Sequence, residues 1–433
     1  MKATLLSIGD ELALGQTVDT NTAWVAAELA TLGIHTLQHV TVADNQVALV
    51  RVIREAAAAT PLVIASGGLG PTADDLTRFA LAEVLGEALV TDDDAVAHVR
   101  SFFERIGRPM PESNTVQAQR PVSAAFIANP VGTAPGLLAT VGSATCFFTP
   151  GVPSEMKRMF ADHVRPWVVE QAAAAGERAP AILTTKIDTF GLGESEVSEK
   201  LGTLMARDRN PTVGTTVSGG LCSVRIRSEN TDAARAEAEL EETAQQVEAA
   251  VGDAAFGRNG ATLEAAVQTL LIDGGHTVAT AESCTGGQLA ARLTANAGSS
   301  ACMLGGWVVY SNAMKTSQLG VDTALLAEHG AVSAPVAEAL ARGARERSGA
   351  DFALSTTGIA GPGGGTDAKP VGTVWIALAT AAGVTARRAN LNGSRDRVQD
   401  RSVKCALQML RYHLLGRPLE GIHWLSTAEV ATA

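Results

Sequence analysis

Strand-like and helix-like segments alternate along the first 170 residues or so, and this alternation limits the possible folds more than any other feature of the chain. The segments Ala3–Ile8, His35–Val42 and Leu62–Ala65 are typical of strands, whereas Thr20–Leu32 and Val47–Ala59 have helical periodicity. Strands connected through helices pair in parallel, and the helices cover both faces of the sheet. The sequence therefore predicts a three-layer α/β domain with a mainly parallel sheet over residues 1–170.

Glycine-rich and acidic segments follow the first and third of these strands, at the edge of the sheet where α/β domains bind ligands. The loop after the third strand offers backbone N–H groups and a helix start to a phosphate. Its candidate phosphate-binding residues are Gly67, Gly68, Gly70 and Thr72. Carboxylates are hard oxygen ligands for a divalent metal ion. The candidate metal ligands are Glu11, Asp19, Asp74 and Asp75. Acidic residues near a helix start can also simply complement the helix dipole, so that alternative stays open.

A different kind of site is indicated by Ala281–Gly287 (A-E-S-C-T-G-G), which lies between a strand-like and a helix-like run. Ser283 is thus predicted at a strand-to-helix junction, where free N–H groups and the helix dipole would stabilise an oxyanion. Tyr310 and Lys315 supply a phenol and an amine from one later strand-to-helix segment. A hydroxyl beside an amine base is a known form of activated nucleophile. The plainer alternatives are a helix cap, a core tyrosine and a surface lysine.

Two further features bear on this second site. A glycine-rich loop follows the strand Phe352–Ser355, and Gly361 and Gly363 in it would let the backbone approach a ligand closely. Cys284 is a rival nucleophile, because a thiol at a helix start can have a lowered pKa. It ranks below Ser283 because no histidine lies nearby in sequence on the helix side.

Composition limits the class of protein. A chain of 433 residues predicts two or three domains, and its formal charge of −11 argues against a general nucleic-acid binder. Five scattered cysteines without C-x-x-C spacing make a disulfide framework or a zinc site improbable. There is no apolar run of membrane-spanning length and no signal-peptide core, so a cytoplasmic protein without membrane contacts is expected.

The pattern changes after a charged turn at residues 176–180, which indicates a domain boundary. Residues 178–255 predict a small α+β domain whose last helix, Ala233–Val251, is strongly acidic. This charge disfavours RNA binding and favours a spacer or a dimer-forming element. Residues 260–418 predict a third domain of the α/β class.

Four segments of the third domain resemble the C-terminal domain of the CinA (competence/damage-inducible) family: A-E-S-C-T-G-G, V-V-Y-S-N-A-M-K, T-G-I-A-G-P-G-G-G and G-S-R-D-R-V. The resemblance implies a nicotinamide mononucleotide deamidase that needs no metal. It further implies Ser283 as the catalytic serine, with Tyr310 and Lys315 activating it. Thr357 would be a pocket residue, and Arg397 a candidate for binding the phosphate of the nucleotide.

The first domain resembles the molybdopterin-binding family, and the middle domain resembles the KH-like domain of CinA. I-G-D-E-L-A-L-G-Q-T-V-D-T-N and S-G-G-L-G-P-T-A-D-D-L-T carry the first resemblance. It implies an ADP-ribose pyrophosphatase with Mg²⁺, Mn²⁺ or Co²⁺. We expect a homodimer whose small-molecule substrates are nicotinamide mononucleotide and ADP-ribose. Two rival hypotheses remain, a molybdopterin-binding module and a competence or repair adaptor without catalysis.

Overall fold

The computed structural model describes residues 1–174, 181–419, 422 and 424–426. The charged turn predicted as a boundary at residues 176–180 lies outside them. The chain divides into two compact units. One consists of Met1–Leu183 with Ser228–Ala238, and the other of Thr184–Arg227 with Glu239–Ala433.

The first domain is built on a six-stranded sheet with the order β2-β1-β3-β8-β7-β6. β1, β2, β3 and β8 are parallel, whereas β7 is antiparallel to both neighbours. Apolar cores lie on both faces of the sheet. The strands are β1 (Lys2–Ile8), β2 (His35–Val42), β3 (Leu62–Ser66), β4 (Leu89–Thr91), β5 (Gln119–Pro121), β6 (Ala125–Ile127), β7 (Gly136–Val141) and β8 (Ala144–Thr149). The helices are α1 (Asp10–Ala13), α2 (Asn21–Thr31), α3 (Gln46–Ala59), α4 (Thr77–Leu85), α5 (Asp93–Arg105), α6 (Pro153–Met159) and α7 (Arg165–Ala174).

The middle domain has a four-stranded sheet with the order β10-β11-β9-β12 and one apolar core. That core lies between one face of the sheet and two helices, since alternate residues of the strands point into it. The strands are β9 (Ala181–Thr189), β10 (Thr212–Ser218), β11 (Leu221–Asn230) and β12 (Ala255–Arg258). The helices are α8 (Glu194–Leu201) and α9 (Ala233–Val251).

The third domain has a six-stranded sheet with the order β14-β13-β15-β16-β17-β18. β13, β14 and β15 are parallel, and the strands after them are antiparallel. α10, α11 and α15 cover one face, and α12, α13 and α14 cover the other. The strands are β13 (Val278–Glu282), β14 (Met303–Val308), β15 (Phe352–Gly358), β16 (Thr373–Thr380), β17 (Gly383–Asn390) and β18 (Leu425–Ser426). The helices are α10 (Leu263–Asp273), α11 (Gln288–Leu293), α12 (Asn312–Leu319), α13 (Thr323–His329), α14 (Ala334–Ser348) and α15 (Arg395–Leu414).

The predicted fold class is confirmed: a mainly parallel α/β domain, a small α+β domain and a second α/β domain follow one another. Among the residues that the structure describes, no helix combines the length and the apolar character that crossing a membrane requires.

Candidate active site

Ser283 lies directly after β13, where the chain leaves the sheet of the third domain. Its N–H donates to the carbonyl of Thr356 in β15 at 2.9 Å, which fixes the backbone at this point. Side chains alternate along a strand, so Ser283 points to the same face as Ala279 and Ala281. That face is covered by α12 and α14, and the side chain of Ser283 is only 8% exposed.

Lys315 in α12 brings its amine to this serine. Its side chain is 1% exposed, and its Nζ lies 3.0 Å from Oγ of Ser283. The same nitrogen donates to the carbonyls of Val309 at 2.9 Å and Tyr310 at 3.0 Å. A neutral amine has two N–H donors, which the two carbonyls accept, and one lone pair, which is then available to the serine hydroxyl.

Burial lowers the pKa of Lys315, because the protein interior disfavours the charged ammonium form. The pKa of the rival nucleophile shifts in the opposite direction. Cys284 is buried, and this burial raises the pKa of its thiol to about 12, so the thiolate is scarce near neutral pH. The geometry therefore favours the hydroxyl over the thiol as the nucleophile.

In the described part of the chain, the phenol of Tyr310 makes no hydrogen bond to Ser283. It is 61% exposed, and its hydroxyl accepts a hydrogen bond from Arg395 at 3.1 Å. Arg395 also donates to the carbonyl of Gly361 at 2.9 Å. Tyr310 therefore contributes its backbone carbonyl to the amine of Lys315, whereas its phenol belongs to an outer ring with Arg395 and the glycine-rich loop.

The arginine in this outer ring is Arg395, and Arg397 lies elsewhere. It is exposed and lines a separate cavity of about 320 Å³ beside Gly219 and Gly220. Arg395 and Arg397 are two residues apart in α15, so their side chains point about 200° apart around the helix. The assignment of Arg397 to the phosphate stays a prediction, but the residue at this ring is Arg395, which was not among the site residues predicted from the sequence.

The other predicted pocket residues of the third domain have distinct roles. Thr357 is 1% exposed and donates its hydroxyl to the carbonyl of Ala331 at 2.7 Å, so it fixes the loop before α14. Gly361 has a φ of +85°, and a Cβ there would lie 2.6 Å from Val371. Gly363 is exposed, and a Cβ on it would meet open space.

The start of α11 is not available to an oxyanion, contrary to expectation. Glu282 is fully buried, and its carboxylate accepts hydrogen bonds from the N–H groups of Gly287 at 3.0 Å, Leu289 at 2.9 Å and Ala290 at 2.8 Å. Ser283 moreover lies five residues before the helix begins at Gln288. Glu282 was not among the residues predicted from the sequence, although an acidic residue at the end of an apolar strand is a visible signal.

The predicted phosphate loop of the first domain lines a cavity of about 400 Å³. Gly67 and Gly68 have φ values of +116° and +67°. A Cβ at Gly67 would come within 2.1 Å of the carbonyl oxygen of Ile8. The backbone path therefore requires glycine there, and it exposes main chain to the cavity.

The four predicted metal ligands do not form one cluster. Asp75 accepts hydrogen bonds from the N–H groups of Gly70 at 2.7 Å and Thr72 at 2.9 Å, so its carboxylate organises the loop. Asp19 accepts hydrogen bonds from the hydroxyls of Ser7 and Thr22. It lines an adjoining cavity of about 160 Å³, which shares Ile8, Glu11 and Gly151 with the cavity of about 400 Å³.

The pKa values of two acidic side chains in this domain, Asp19 and Asp44, are shifted in opposite directions. Burial alone would raise the pKa of Asp19, but its hydrogen bonds from Ser7 and Thr22 outweigh that effect and lower it. Burial and then the carboxylates of Asp10, Glu11 and Asp74 raise the pKa of Asp44, which sequence analysis missed.

The cavity of about 400 Å³ is lined by several carboxylates that do not converge on one point: Glu11, Asp44, Asp74, Asp75 and Glu155. In residues 1–174, 181–419, 422 and 424–426, no group of three or more His, Cys, Asp or Glu side chains is placed to hold a metal ion. An all-protein metal cage is thus not formed. The carboxylates fit only an ion that takes most of its ligands from substrate oxygens, as Mg²⁺ commonly does.

Comparison with known proteins gives matches along nearly the whole chain. Three family models match: Probable molybdopterin binding domain (residues 4–170), Damage-inducible protein CinA KH domain (184–257) and CinA C-terminal domain (260–414). A CinA-like protein of Geobacter metallireducens is 44% identical over 415 residues, which are 96% of this chain and 100% of the relative. One of Geobacter sp. is 42% identical over 417 residues, 96% and 98% of the two chains.

Among solved structures, the competence/damage inducible protein CihA of Agrobacterium tumefaciens is 43% identical, with a TM-score of 0.35. The match covers 35% of this chain and 93% of that one.

Proposed function

The chain belongs to the CinA family, and we propose that its third domain hydrolyses the carboxamide of nicotinamide mononucleotide. The products are nicotinate mononucleotide and ammonia. The observation that carries this proposal is the 3.0 Å contact between Oγ of Ser283 and Nζ of Lys315. An alkoxide-forming base beside a fixed hydroxyl is the arrangement that acyl transfer requires.

In the first step, the neutral amine of Lys315 accepts the hydroxyl proton while Oγ of Ser283 attacks the carboxamide carbon. The carbonyls of Val309 and Tyr310 hold the amine in place during this transfer. The ammonium that results is next to the oxyanion that forms on the substrate. Because the side chain is buried, this charge acts in a medium of low dielectric constant and stabilises the oxyanion more than it would in water.

In the second step, the ammonium returns its proton to the substrate nitrogen, the C–N bond breaks and ammonia leaves. The remaining ester on Ser283 is hydrolysed by water, with Lys315 again as the base. As the bond between the ester carbon and Oγ of Ser283 breaks, Lys315 returns the proton to Oγ, which restores the serine hydroxyl, and the carboxylate product leaves. The whole sequence consumes one water molecule and needs no metal ion.

The outer ring supports recognition of the nucleotide. Arg395, rather than Arg397, would bind the phosphate, since a guanidinium can donate two parallel hydrogen bonds to it. Tyr310 and Gly361 hold that guanidinium in place through their hydroxyl and carbonyl oxygens. A Cβ on Gly363 would meet open space, so this position of the loop leaves room for a ligand.

Ammonia release from nicotinamide mononucleotide by the purified chain tests this proposal. Ser283→Ala should abolish release, while Cys284→Ala should retain it, because the thiol is buried and protonated. A chelator should have no effect. Retained turnover in Ser283→Ala, with loss in Cys284→Ala, would reverse the assignment of the nucleophile.

A second activity is favoured by the cavity of the first domain. We propose that ADP-ribose is hydrolysed there to AMP and ribose 5-phosphate. The N–H groups of the glycine loop would bind the pyrophosphate, and Glu11 and Asp74 would help to hold the ion. A bound Mg²⁺, Mn²⁺ or Co²⁺ supplies neutralisation of the pyrophosphate charge.

Product analysis with ADP-ribose tests the second activity. Glu11→Gln should lower the rate and raise the metal concentration needed, whereas Asp94→Asn on α5 is the matched control. If the purified chain binds molybdopterin and releases neither ammonia nor AMP, the non-catalytic hypotheses replace both activities. Light scattering tests the expected homodimer, and cell fractionation tests the expected cytoplasmic location.

A further inference from the structure

One face of the sheet in the middle domain carries polar and basic side chains. Along β11, Cys222, Val224 and Ile226 are buried in the core under α8 and α9. The residues between them therefore point to the opposite face. Arg225 and Arg227 on that face are exposed.

This face forms a groove of about 700 Å³. Three cations line it: Lys186 from β9 and the two arginines from β11. Hydroxyl groups make up most of the remaining polar lining. They belong to Thr184, Thr185, Thr212, Thr216, Ser218 and Ser223. Neither a carboxylate nor an aromatic ring is among the described residues that line the groove.

The positive charge of the groove is only partly compensated. Lys186 pairs with the buried Asp188 at 3.1 Å. Within the described residues, no ion pair is formed by Arg225 or Arg227. Two unpaired guanidinium groups beside hydroxyl donors stand out in a chain whose net charge is −11.

The floor of the groove lets a ligand approach the backbone. Gly214 in β10 is paired with Arg225, and a Cβ built on it meets nothing within 4 Å. Arg225 and Arg227 are two positions apart on one strand, so their Cα atoms are about 7 Å apart. A chain of linked phosphates can therefore contact both guanidinium groups while it lies over Gly214.

We propose that this groove, lined by Lys186, Gly214, Arg225 and Arg227, binds a small molecule that carries linked phosphate groups. Guanidinium groups bind phosphate through paired, charge-assisted hydrogen bonds. The hydroxyls of Thr184, Thr216 and Ser218 can add donors, whereas those of Thr185, Thr212 and Ser223 already donate within the protein. A single-stranded nucleic acid fits less well, because such ligands normally stack their bases on aromatic side chains. The site is independent of both proposed activities.

Titration of the full chain with inorganic tripolyphosphate tests the proposal. Hydrogen–deuterium exchange localises the ligand, and we expect protection of β10 and β11. Arg225→Gln with Arg227→Gln should weaken binding at this site at least about tenfold, since two charge-assisted contacts are lost. Arg207→Gln with Arg209→Gln removes the same charge from the same domain outside the groove and should leave binding intact.

Gly214→Val provides a second variant that separates binding from folding. The position has an ordinary φ and open space, so valine should be tolerated in the strand while it fills the groove. It should weaken tripolyphosphate binding and leave ammonia release unchanged. Unprotected β10 and β11, or equal affinity in all variants, would overturn the proposal. The proposal would also be overturned if this face bound an oligothymidylate but did not bind tripolyphosphate.

Discussion

Replacing Lys315 by Met removes the amine from the candidate active site and keeps a side chain of similar length. If Lys315 is the base, the change should lower kcat by about 10²–10⁴-fold, the usual contribution of a positioned base. This range corresponds to about 3–5 kcal/mol in the activation barrier. Lys200→Met is the matched control, because it makes the same substitution in α8 of the middle domain, outside the candidate active site.

The structure also gives the effect of this change on stability. The carbonyls of Val309 and Tyr310 lose their shared donor. The carbonyl of the buried Val309 is then left without a partner, which costs about 1–3 kcal/mol, whereas that of the more exposed Tyr310 costs less. Removal of a buried amine offsets part of that cost. We therefore expect a folded protein with a modestly lower free energy of unfolding, measured by urea denaturation, so the loss of kcat is not a loss of fold.

The pH dependence supplies the decisive measurement. Burial lowers the pKa of Lys315 from its ordinary value of 10.5, and the ammonium has no lone pair for the serine proton. The kcat of the unmodified chain should therefore rise with pH through this lowered pKa, and the residual activity of Lys315→Met should lack that rise. Between this lowered pKa and the ordinary value of 10.5, Lys315 binds more protons in the unfolded chain than in the folded one. The contribution of Lys315 to the free energy of unfolding therefore increases as the pH rises. An unchanged rise of kcat in the variant would refute the role of Lys315.

Four other substitutions separate the roles of individual residues. Arg395→Gln should raise KM for nicotinamide mononucleotide about tenfold or more, whereas Arg397→Gln should change it less than about twofold; steady-state kinetics compare them. Glu282→Gln should lower the free energy of unfolding by about 2–3 kcal/mol in urea, because it loses charge-assisted acceptors for the start of α11. Asp75→Asn should reduce ADP-ribose cleavage at every Mg²⁺ concentration, because the carboxylate of Asp75 holds the loop through hydrogen bonds that do not involve the metal ion.

The fold was largely predictable, because the alternation of apolar runs already determines which segments are strands. Ser283 and Lys315 could also be named, since Ser283 directly follows β13 and Lys315 lies in α12, the first helix after β14. The choice between Arg395 and Arg397 could not be made, because it depends on where α15 begins and hence on the direction of each side chain. The role of Glu282 required knowledge that its carboxylate is buried under the start of α11.

The candidate active site consists of two layers that differ in exposure, and this difference has a kinetic consequence. Ser283 and Lys315 are 8% and 1% exposed, and backbone carbonyls hold the amine before any substrate arrives. Such preorganisation acts on the transition state. Tyr310 is 61% exposed, and its phenol and Arg395 can rearrange when a phosphate binds. Substitutions in the buried pair should therefore act on kcat, and those in the exposed ring mainly on KM.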